Sequence, residues 1–578
     1  MSMVNDFYIM LAQLVKKILA YDQIEAAYLK YEHALSAKEL LEKVLSDWQI
    51  SVREHKSTKT TYDRLNKVLI VANHPFGGVE GMILTRQFLE QNAAIKVLVN
   101  PILKVFKPLR ENFLFVEPYE DIESKKLNVQ ATKQAIQWLK QGNVLAMFPA
   151  GEVSSYQLNK NCVVDPVWSK SCAAFVEKAQ CSVLPVFFHG QNSKWFQALG
   201  VLHPKIRTLL LGRELVNKQK QTIHMTYGNL VQFNRLPKHL SREELSDYFR
   251  FLTYSIAKQG KKIELYKEEH EEIEQSYDTS VLQSDIDRLP ESALLLKSKN
   301  FSVYVAEYEQ IPKIMHEIAK QRERSFRKVG EGTGKAIDTD SFDPYYKHLF
   351  VWDDDAKKIV GAYRIALSDE VKQKKQNFYS QTLFGFDQRF INEIEPAIEM
   401  GRSFVSLEYQ KSFTPLLLLW KGIGQFVARY PKYTKLFGPV SISGEFSPLS
   451  KTVIKQYLLR HYGEESLKKH VQVKVPFNDE ILYDYSSQDM LKFFNSLTDI
   501  SNYIDYQEKE FAGIPVLIKH YIKLGAKFID FNVDPEFNNA LDALILVDLK
   551  QTEEKSLKNY MGEDGYQIFR SYHNLKQD

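Results

Sequence analysis

The sequence has no run of apolar residues long enough to cross a bilayer. A membrane-spanning helix needs about 20 consecutive apolar residues, and the best candidate is the short stretch from Phe413 to Trp420. A secretory leader is not expected either, because Asp6 precedes the apolar residues at the start and no positively charged segment comes before them. An integral membrane protein and a secreted protein are therefore disfavoured.

Cysteine is scarce, and neither charge sign dominates. Cys162, Cys172 and Cys181 are odd in number and lack the spacing of metal ligands, so they fit packing residues of a reducing cytoplasm. Lysine and arginine number 76 against 72 aspartates and glutamates. This balance gives no electrostatic argument for a nucleic-acid partner.

What the chain does contain is ample core-forming sequence. Its 578 residues, 44% hydrophobic and 12% aromatic, predict two to four packed domains. Residues 1–60 are predicted to be mainly helical. One helix face near the N-terminus could lie in a membrane interface, although packing on a core is the commoner role of such a face. The face carries Phe7, Leu11, Leu14, Ile18 and Tyr21, with Lys16 and Lys17 beside it.

The stretch from Val68 to Gly81 is the first with a chemical signature. Five apolar residues predict a buried strand, the sequence Asn73-His74-Pro75 breaks it, and helical spacing follows. His74 therefore falls at the carboxyl end of a strand, where open α/β sheets build their sites. Glu80 lies near the first helical turn, so it could hold the imidazole as a general base. The alternative is that His74 only caps the strand.

The alternation of strands and helices continues after this stretch. A basic cluster, Lys104, Lys107 and Arg110, follows the next strand and is either a solvated loop or an anion site for a lipid headgroup or an acidic carrier protein. Predicted strands cover 94–99, 113–116, 144–148 and 183–188, and a helix covers 131–139.

Three ordered blocks resemble the lysophospholipid acyltransferase family over residues 60 to 240. They are Asn73-His74-Pro75, the stretch from Phe148 to Ser154, and Val183-Leu184-Pro185-Val186. Two departures stand out, because the acidic partner is Glu80 rather than an Asp at position 79, and Ala150 replaces a Glu of the family. The resemblance implies His74 and Glu80 as catalytic residues, and the missing Glu suggests an acceptor other than glycerol phosphate. It also implies Gly151, Glu152 and Ser154 as substrate-binding residues, and the anion-site interpretation of the basic cluster adds Lys104 and Arg110 to them.

Acyl transfer from a thioester to a hydroxyl explains why these residue types are needed. A base must take the hydroxyl proton, and a carboxylate must fix the tautomer of that base. The nucleophile belongs to the substrate, so the protein needs none. The turn at Gly151 is expected to offer backbone N–H groups to the thioester oxygen.

A second alternating region follows a polar stretch that predicts a linker over 271–299. Residues 349–352 and 359–365 predict a hairpin, and residues 398–405 predict a central strand that carries Glu399 and Arg402. Charges buried in a strand are costly unless they are paired or functional. An internal Glu399–Arg402 ion pair is the simpler explanation, and a catalytic role is the other.

The spacing of charges in this region resembles acyl-homoserine-lactone synthases and their relatives, the ornithine N-acyltransferases. The pattern is Arg-Phe, Asp-x-x-Asp, Gly-x-x-Arg and Glu-x-x-Arg-Ser-Phe, and it spans about residues 300 to 550. The resemblance implies an α/β fold of the general N-acetyltransferase type that uses acyl carrier protein thioesters. Asp340, Asp343 and Arg402 would bind the substrates, and Glu399 would be the base for an α-ammonium group.

Two glycine-rich motifs compete with these assignments. Gly330-x-Gly332-x-Gly334-Lys335 looks like a phosphate loop, but no buried strand precedes it and Ala336 follows the lysine, which favours an ordinary loop. Gly422-x-Gly424, expected at the head of a helix, could bind a phosphopantetheine phosphate or could allow close helix packing.

Both halves together resemble the bifunctional ornithine-lipid synthases of bacteria. The expected fold is α/β, with N-terminal helices in 1–60, a lysophospholipid-acyltransferase-like domain in 61–270, the linker, and an N-acetyltransferase-like domain in 300–578. The implied activity is N-acylation of ornithine with a 3-hydroxyacyl chain from acyl carrier protein, then O-acylation of the lyso-ornithine lipid. No metal, tightly bound cofactor or nucleic acid is expected, and the implied location is cytoplasmic, peripheral on the inner face of the bacterial cytoplasmic membrane.

Two alternatives remain open at the level of sequence. One is a glycerolipid acyltransferase that acts on lysophosphatidic acid and carries a non-catalytic partner domain, against which Ala150 weighs. The other is a binding or scaffold protein with inactive sites. The presence of His74, Glu80, Glu399 and Arg402 argues against it.

Overall fold

A computed structural model of the chain forms two compact units. The N-terminal unit consists of Met1–Lys261 together with Glu480–Gly513, and the C-terminal unit consists of Lys262–Asp479 together with Ile514–Asp578. The structure describes residues 21–31, 36–56, 65–91, 93–117, 121–202, 204–258, 270–508 and 513–575. The helix expected within residues 1–21, with its possible membrane contact, lies almost entirely outside the described residues.

Strands and helices alternate through the first part of the chain. The helices are α1 (Tyr21–Lys30), α2 (Ala37–Asp47), α3 (Val79–Glu90), α4 (Ile122–Lys140), α5 (Ser171–Ala179), α6 (Lys194–Leu202), α7 (Pro204–Val216) and α8 (Arg242–Ser255). The strands are β1 (Ser51–Lys56), β2 (Val68–Ala72), β3 (Ile95–Val99), β4 (Phe113–Phe115), β5 (Val144–Met147), β6 (Ser155–Gln157), β7 (Cys162–Val164), β8 (Ser182–His189) and β9 (Thr222–Tyr227).

The second part of the chain contains longer antiparallel strands. The helices are α9 (Thr279–Asp287), α10 (Pro312–Lys328), α11 (Ser368–Gln373), α12 (Gln388–Ile394), α13 (Thr414–Arg429), α14 (Pro448–Tyr462), α15 (Glu465–Lys468), α16 (Ser487–Leu491), α17 (Leu497–Gln507), α18 (Val516–Lys523) and α19 (Glu554–Tyr572). The strands are β10 (Leu294–Ser298), β11 (Phe301–Glu307), β12 (Lys347–Asp353), β13 (Lys358–Leu367), β14 (Phe384–Phe386), β15 (Ala397–Val405), β16 (Lys435–Ile442), β17 (Val471–Val473), β18 (Lys527–Asp534) and β19 (Ala540–Asp548).

The N-terminal unit is built on a mostly parallel sheet. Its strands lie in the order β1-β9-β8-β2-β5-β3-β4, with β8 and β9 as the antiparallel pair. All five residues of β2 are buried, as expected for a strand with neighbours on both sides and helices over both faces. Because β2, β3 and β5 run parallel, their carboxyl ends share one edge of the sheet. The strands predicted at 68–72, 94–99, 113–116, 144–148 and 183–188 are confirmed to within two residues.

A segment from late in the chain completes this unit. We call Glu480–Gly513 the inserted segment, because the chain enters the N-terminal unit at Glu480 and leaves it at Gly513. It contains α16 and α17, and aromatic side chains of the segment pack against α8. Phe493 lies 5.1 Å from Phe251 between ring centroids, and Tyr503 lies 5.2 Å from Phe251. The expectation that 300–578 forms one continuous domain is wrong here, since these buried rings belong to the other core.

The C-terminal unit is built on a mostly antiparallel sheet. Its strands lie in the order β10-β11-β12-β13-β15-β16-β19-β18, and β15 and β16 form its parallel pair. These two strands pair only from Ala397 to Glu399, although both run several residues further. Gly438, with φ +149°, sits at this point, and a Cβ there would meet the Met400 carbonyl oxygen at 2.1 Å. The predicted hairpin of β12 and β13 and the central strand β15 are confirmed.

The structure corrects two predictions about loops and boundaries. The linker expected over 271–299 contains α9 and all of β10, and Leu282 and Ile286 are buried in a core cluster with α10. Gly422 and Gly424 lie inside α13 rather than at its head. A Cβ at Gly424 would meet the backbone of Tyr560 at 2.5 Å, so these glycines serve close packing.

The loop at 330–335 behaves as predicted. The N–H groups of Thr333 and Gly334 donate to the carboxylate of Glu323, at 3.0 and 2.9 Å. The protein's own side chain therefore occupies the position in which a phosphate would bind. Among the described helices, none is both long and apolar enough to span a membrane.

Candidate active sites

His74 lies where β2 ends, at the carboxyl edge of the parallel sheet. The neighbouring Asn73 fixes the chain there, because its side chain donates to the Phe188 carbonyl at 2.9 Å and accepts from the Phe188 N–H at 2.7 Å. This bridge continues the ladder between β2 and β8 by one step, using a side chain in place of backbone. The turn that follows can therefore reverse direction into α3 without leaving the strand end unpaired.

Glu80 reaches back from the first turn of α3 to the imidazole. Its Oε1 lies 3.3 Å from His74 Nδ1, and the same oxygen accepts the N–H groups of Phe76 and Gly77 at 2.7 and 3.1 Å. The Glu80 side chain is fully buried. The turn therefore fixes the carboxylate. Glu80, six residues after the histidine, takes the role of the acid that the family pattern has five residues after it.

The imidazole of His74 keeps one nitrogen for a substrate. Its ring stacks on Phe148, with centroids 4.4 Å apart and planes 26° apart, and its side chain is 17% exposed. Nε2 makes no hydrogen bond within the described part of the chain. Burial lowers the pKa of His74, but the carboxylates of Glu80 and Asp165 outweigh it and raise the pKa above its ordinary value. A carboxylate on one nitrogen and an open second nitrogen are the arrangement that general-base catalysis requires.

The second motif forms the other wall of this site, though not with the contacts that the sequence suggested. The N–H of Gly151 donates to the Phe148 carbonyl at 3.1 Å, and the N–H of Ser154 donates to the His74 carbonyl at 2.8 Å. Glu152 points outward and pairs with Arg207 at 3.1 Å. Ser154 is buried, so it positions His74 rather than contacting a substrate. Gly151, with φ +67°, borders open space, but its own N–H is already used.

Asp165 is a buried residue behind His74 that sequence reasoning missed. Its Oδ1 accepts the His74 N–H at 3.1 Å and the Ser154 hydroxyl at 2.5 Å, and its Oδ2 accepts from Trp168 Nε1 at 3.0 Å. Burial raises the pKa of Asp165 despite these donors. The carboxylate ties the two motifs together. Its position after β7 gave no signal, because Asp165 stands beside a proline in a stretch with no regular pattern.

Arg250 of α8 connects Asp165 to the inserted segment. Its Nη2 donates to the Asp165 carbonyl at 3.2 Å and to Asp484 Oδ2 at 2.9 Å. The side chains of Arg250 and Asp484 are only 4% and 3% exposed. Asp484 lies 410 positions after His74 in the sequence, yet it is connected through Arg250 to Asp165, which contacts His74. No local sequence pattern could have shown this connection.

The basic cluster follows β3 on two short 3-10 turns, Pro101–Val105 and Lys107–Asn112. Lys104 Nζ lies 3.5 Å from Glu117, and Arg110 Nε donates to the Lys104 carbonyl at 2.8 Å. Lys104 and Arg110 are exposed. They lie at the same edge of the sheet as His74, but no contact joins them to it among the described residues.

The C-terminal unit holds a buried network of arginines and aspartates. Arg364 Nη1 lies 2.5 Å from Asp340 and 3.0 Å from Asp343, and Arg322 lies 3.2 Å from Asp343. Arg402 Nη2 lies 3.3 Å from Asp340, and its Nη1 lies 3.4 Å from Asp338. The network brings together the predicted Asp340, Asp343 and Arg402. It contradicts the internal Glu399–Arg402 pair, because Arg402 pairs elsewhere.

Exposure distinguishes the members of this network. Asp343 is 1% exposed and sits between two arginines, while Asp340 is 20% exposed. Burial raises the pKa of both carboxyls, but Arg364, with Arg322 beside Asp343, more than offsets it and holds each pKa below its ordinary value. Asp343 is therefore a fixed structural charge, and Asp340 and Arg402 form the part of the network nearest to solvent.

Glu399 is buried and already surrounded by donors. Its Oε1 accepts the N–H and the hydroxyl of Ser380, at 2.6 and 2.5 Å, and its Oε2 accepts the Tyr379 N–H at 3.0 Å and the Tyr346 hydroxyl. Burial raises the pKa of Glu399 above its usual range. This geometry favours an anchor for the turn Tyr379–Thr382 over the direct base that the sequence suggested, because no acceptor position is left for an ammonium group.

Several of these contacts were invisible in the sequence. Tyr346 and Ser380 join Glu399, and Asp338 joins Arg402. Asp338 lies two residues before the predicted Asp340, so its proximity was the one available signal. Among the described residues, no group of three or more histidine, cysteine or carboxylate side chains is placed to hold a metal ion.

Comparisons with known proteins agree with two acyl-transfer sites. Residues 10–260 match the family described as acyltransferase, and residues 321–420 match the acetyltransferase (GNAT) domain. The chain is 31% identical over 268 residues to the glycine N(alpha)-acyltransferase of Phocaeicola vulgatus, an alignment that covers 44% of this chain and 81% of the relative.

Two further relatives represent the two kinds of transfer. The lyso-glycine lipid O-acyltransferase of Bacteroides thetaiotaomicron is 25% identical over 197 residues, covering 32% of this chain and 68% of the relative. The L-ornithine N(alpha)-acyltransferase of Rhizobium meliloti is 27% identical over 233 residues, covering 39% of this chain and 71% of the relative. The chain is thus an acyltransferase of the family that contains the glycine N(alpha)-acyltransferases, with an acyltransferase domain ahead of its GNAT domain, as fits a bifunctional lipid acyltransferase.

Proposed function

We propose that the chain makes a phosphorus-free amino-acid lipid in two steps. In the first, the C-terminal unit transfers a 3-hydroxyacyl chain from a thioester to the α-amino group of ornithine. In the second, the N-terminal unit esterifies the 3-hydroxyl of this lyso-lipid with another acyl chain. The observation that carries the proposal is that the two units hold different groups suited to acyl transfer. One unit has the His74–Glu80 pair, and the other has the buried arginine network.

The N-terminal site suits a hydroxyl acceptor. Nε2 of His74 would take the proton as the hydroxyl oxygen bonds to the thioester carbon, and the proton would pass to the departing thiolate when the C–S bond breaks. Among the described residues, the N–H groups of Glu152 and Val153 have no hydrogen-bond acceptor. In this proposal these two N–H groups, rather than that of Gly151, donate to the thioester oxygen as its negative charge develops.

The C-terminal site suits an amine acceptor. Beyond Glu399, β15 and β16 no longer pair, so backbone groups there can bind the amides of an extended phosphopantetheine arm as an added strand would. Arg402 lies in this opening and can bind the carboxylate of the amino acid. The ammonium loses one proton to solvent before attack, the amine then bonds to the thioester carbon, and the departing thiolate takes the second proton of the nitrogen as the C–S bond breaks. Glu399 supports this geometry through the turn at Tyr379.

The proposal includes the donor and the location. Acyl carrier protein is an acidic partner, and the exposed Lys104 and Arg110 offer a cationic surface of matching sign. A cytoplasmic protein on the inner face of the bacterial membrane would meet both the thioesters and a one-chain product, which partitions only weakly into bilayers. The relatives include both glycine and ornithine enzymes, and ornithine is the acceptor that we propose.

Lipid analysis of a heterologous host tests the proposal. A bacterium that makes no amino-lipids would express the chain, and its lipids would be analysed by mass spectrometry. The expected product is a new lipid that contains two acyl chains and an amino acid but no phosphorus. Folded protein with only additional phosphatidic acid would support the glycerolipid alternative instead, and no lipid change would support the inactive scaffold.

Single variants separate the two steps. His74→Ala should accumulate the one-chain lipid, because only the second transfer needs that imidazole, and Glu399→Ala should remove both products. Asp355→Asn, in the exposed turn between β12 and β13, is the matched control and should leave the diacyl lipid unchanged. Unchanged diacyl lipid in His74→Ala would refute its role as base.

A further inference from the structure

Three carboxyl side chains lie beside the arginine network and take no part in it. Ser441 of β16 and Asp542 of β19 are directly opposite each other in the sheet, so their side chains share a face. The Ser441 hydroxyl donates to Glu331 Oε2 at 2.8 Å, which brings Glu331 to the same face. Asp534, at the end of β18, accepts the Glu536 N–H at 3.0 Å.

Asp542 lacks a partner of its own. It is 7% exposed, and within the described residues its carboxyl makes neither a hydrogen bond nor an ion pair. Buried carboxyls in folded proteins are nearly always paired or hydrogen-bonded. An unpaired one at a site edge therefore indicates a place where a cationic ligand supplies the missing contact.

The charges around Asp542 strengthen this interpretation. Burial raises its pKa well above the ordinary value, the nearby Asp534 and Glu331 raise it further, and Arg402 opposes the shift. Burial likewise raises the pKa of Asp534, and it raises that of Glu331 to about 7. The pKa values of all three carboxyls are raised even though Lys451 opposes the shift at Glu331 and Arg402 opposes it at the other two, and a bound cation would relieve the remaining repulsion.

Arg402 places this region next to the proposed acceptor site. Its guanidinium lies 4.5 Å from the ring centroid of Phe537, in the 3-10 turn that directly follows Asp534. The arginine network is close to neutral by itself, because Arg322, Arg364 and Arg402 face the three carboxyls of Asp338, Asp340 and Asp343. The additional carboxyls therefore exceed what binding a zwitterion such as glycine requires, and they fit an acceptor with a second ammonium group.

We propose that Asp542, flanked by Asp534 and Glu331, binds the side-chain ammonium of a diamino-acid acceptor whose carboxylate lies at Arg402. This inference rests on the proposed N-acylation and names the residues that select its substrate class. Ornithine and lysine carry the second ammonium group, whereas glycine and alanine do not. The subsite would therefore separate these two classes of acceptor within one family.

The test is a comparison of acceptors on the purified full-length protein. Acylation would be measured with a 3-hydroxyacyl-acyl carrier protein donor and with ornithine, lysine, glycine and alanine. For ornithine, Asp542→Asn should raise KM about ten- to a hundredfold, the loss expected for a charge-assisted hydrogen bond. KM for glycine and alanine should stay within about twofold, and Asp542→Glu should recover part of the ornithine activity.

The controls separate binding from folding. Asparagine has the shape of aspartate, and a site that already favours the neutral acid should accept it without unfolding, which thermal melting would check. Asp355→Asn removes the same charge from the same unit at an exposed turn and should leave all four KM values unchanged. An equal loss for ornithine and glycine would overturn the proposal, because it would place Asp542 at the α-amino group.

Direct binding keeps this inference independent of the proposed reaction. Calorimetry with the wild-type full-length protein would use ornithine and glycine without an acyl donor. Tighter binding of ornithine that is lost in Asp542→Asn supports the subsite, even if no amino acid is acylated and the proposed function fails. Equal binding of ornithine and glycine by the wild type refutes the subsite, even if N-acylation is found.

Discussion

The substitution Asp484→Asn should inactivate the O-acyl transfer, although Asp484 belongs by sequence to the other half of the chain. Asp484 lies 2.9 Å from Arg250 and 2.5 Å from Lys160. Asparagine has the same shape but no charge. The variant therefore removes the ion-pair partner of the buried Arg250 guanidinium while the surrounding packing is kept.

The expected cost follows from the burial of this pair. Both side chains are less than 5% exposed, and removing one partner of a buried ion pair costs about 3–5 kcal/mol. Burial raises the pKa of Asp484, but Arg250 and Lys160 outweigh it and hold the pKa below its ordinary value. A carboxyl of lowered pKa stabilises the fold above the unfolded-state value of about 3.9 and loses this contribution as the pH falls through the folded-state value. The deficit of the variant should therefore be complete at neutral pH.

Hydrogen exchange resolved by peptide measures this deficit in each unit. Exchange in α8 should accelerate, while exchange in β12 and β13 should not change, and the one-chain lipid should accumulate in cells. The control is Asp505→Asn, which removes a half-exposed contact of the same inserted segment with Arg235 and should cost less than about 1 kcal/mol. Wild-type exchange in α8 together with normal diacyl lipid in Asp484→Asn would refute the reasoning.

Three further predictions concern the two sites. Glu80→Gln removes the charge that raises the pKa of His74. The acidic limb of the O-acylation pH profile should therefore move to lower pH, and the maximal rate should fall. A slower enzyme whose acidic limb stays at the same pH would contradict this prediction. Gly438→Ala places a Cβ 2.1 Å from the Met400 carbonyl oxygen at φ +149°, so it should destabilise the C-terminal unit by about 3 kcal/mol or more in chemical denaturation and lower N-acylation. Glu399→Gln should reduce N-acylation without removing its pH dependence, because the side chain anchors a turn. Loss of the pH dependence in this variant would instead show that Glu399 is the base.

Local patterns in the sequence predicted those features that local physics decides. The run of five apolar residues before His74 had to be a buried strand, and the break after it placed the histidine at the sheet edge. Glu80 was within reach because the first turn of a helix points back toward the strand that precedes it. The same logic found the hairpin of β12 and β13. In each case the decisive neighbours lie within a few residues of one another.

Features that depend on distant neighbours were missed or misassigned. Asp165 is held behind His74 by a fold that returns after 91 positions, and its own surroundings in the sequence carry no pattern. The resemblance to N-acyltransferases makes Glu399 the candidate base, since an amine must lose a proton before it attacks. Its real partners, Tyr346 and Ser380, come from other elements and satisfy it completely. Charge counts along a strand cannot distinguish an anchored carboxylate from a reactive one.

The inserted segment supplies part of the core of the N-terminal unit from late in the chain. The core of the N-terminal unit includes Phe493 and Tyr503 packed on Phe251, and among the described residues Asp484 is the carboxylate that forms an ion pair with Arg250. A chain that ends after residue 261 lacks both the rings and the charge, so we expect the proposed O-acyl transfer site to be complete only after most of the C-terminal unit has been synthesised. Ile514, where the chain re-enters that unit, leads directly into α18, β18 and β19. If the lyso-lipid is the intermediate, we expect no truncated product of this chain to perform the second step without the first.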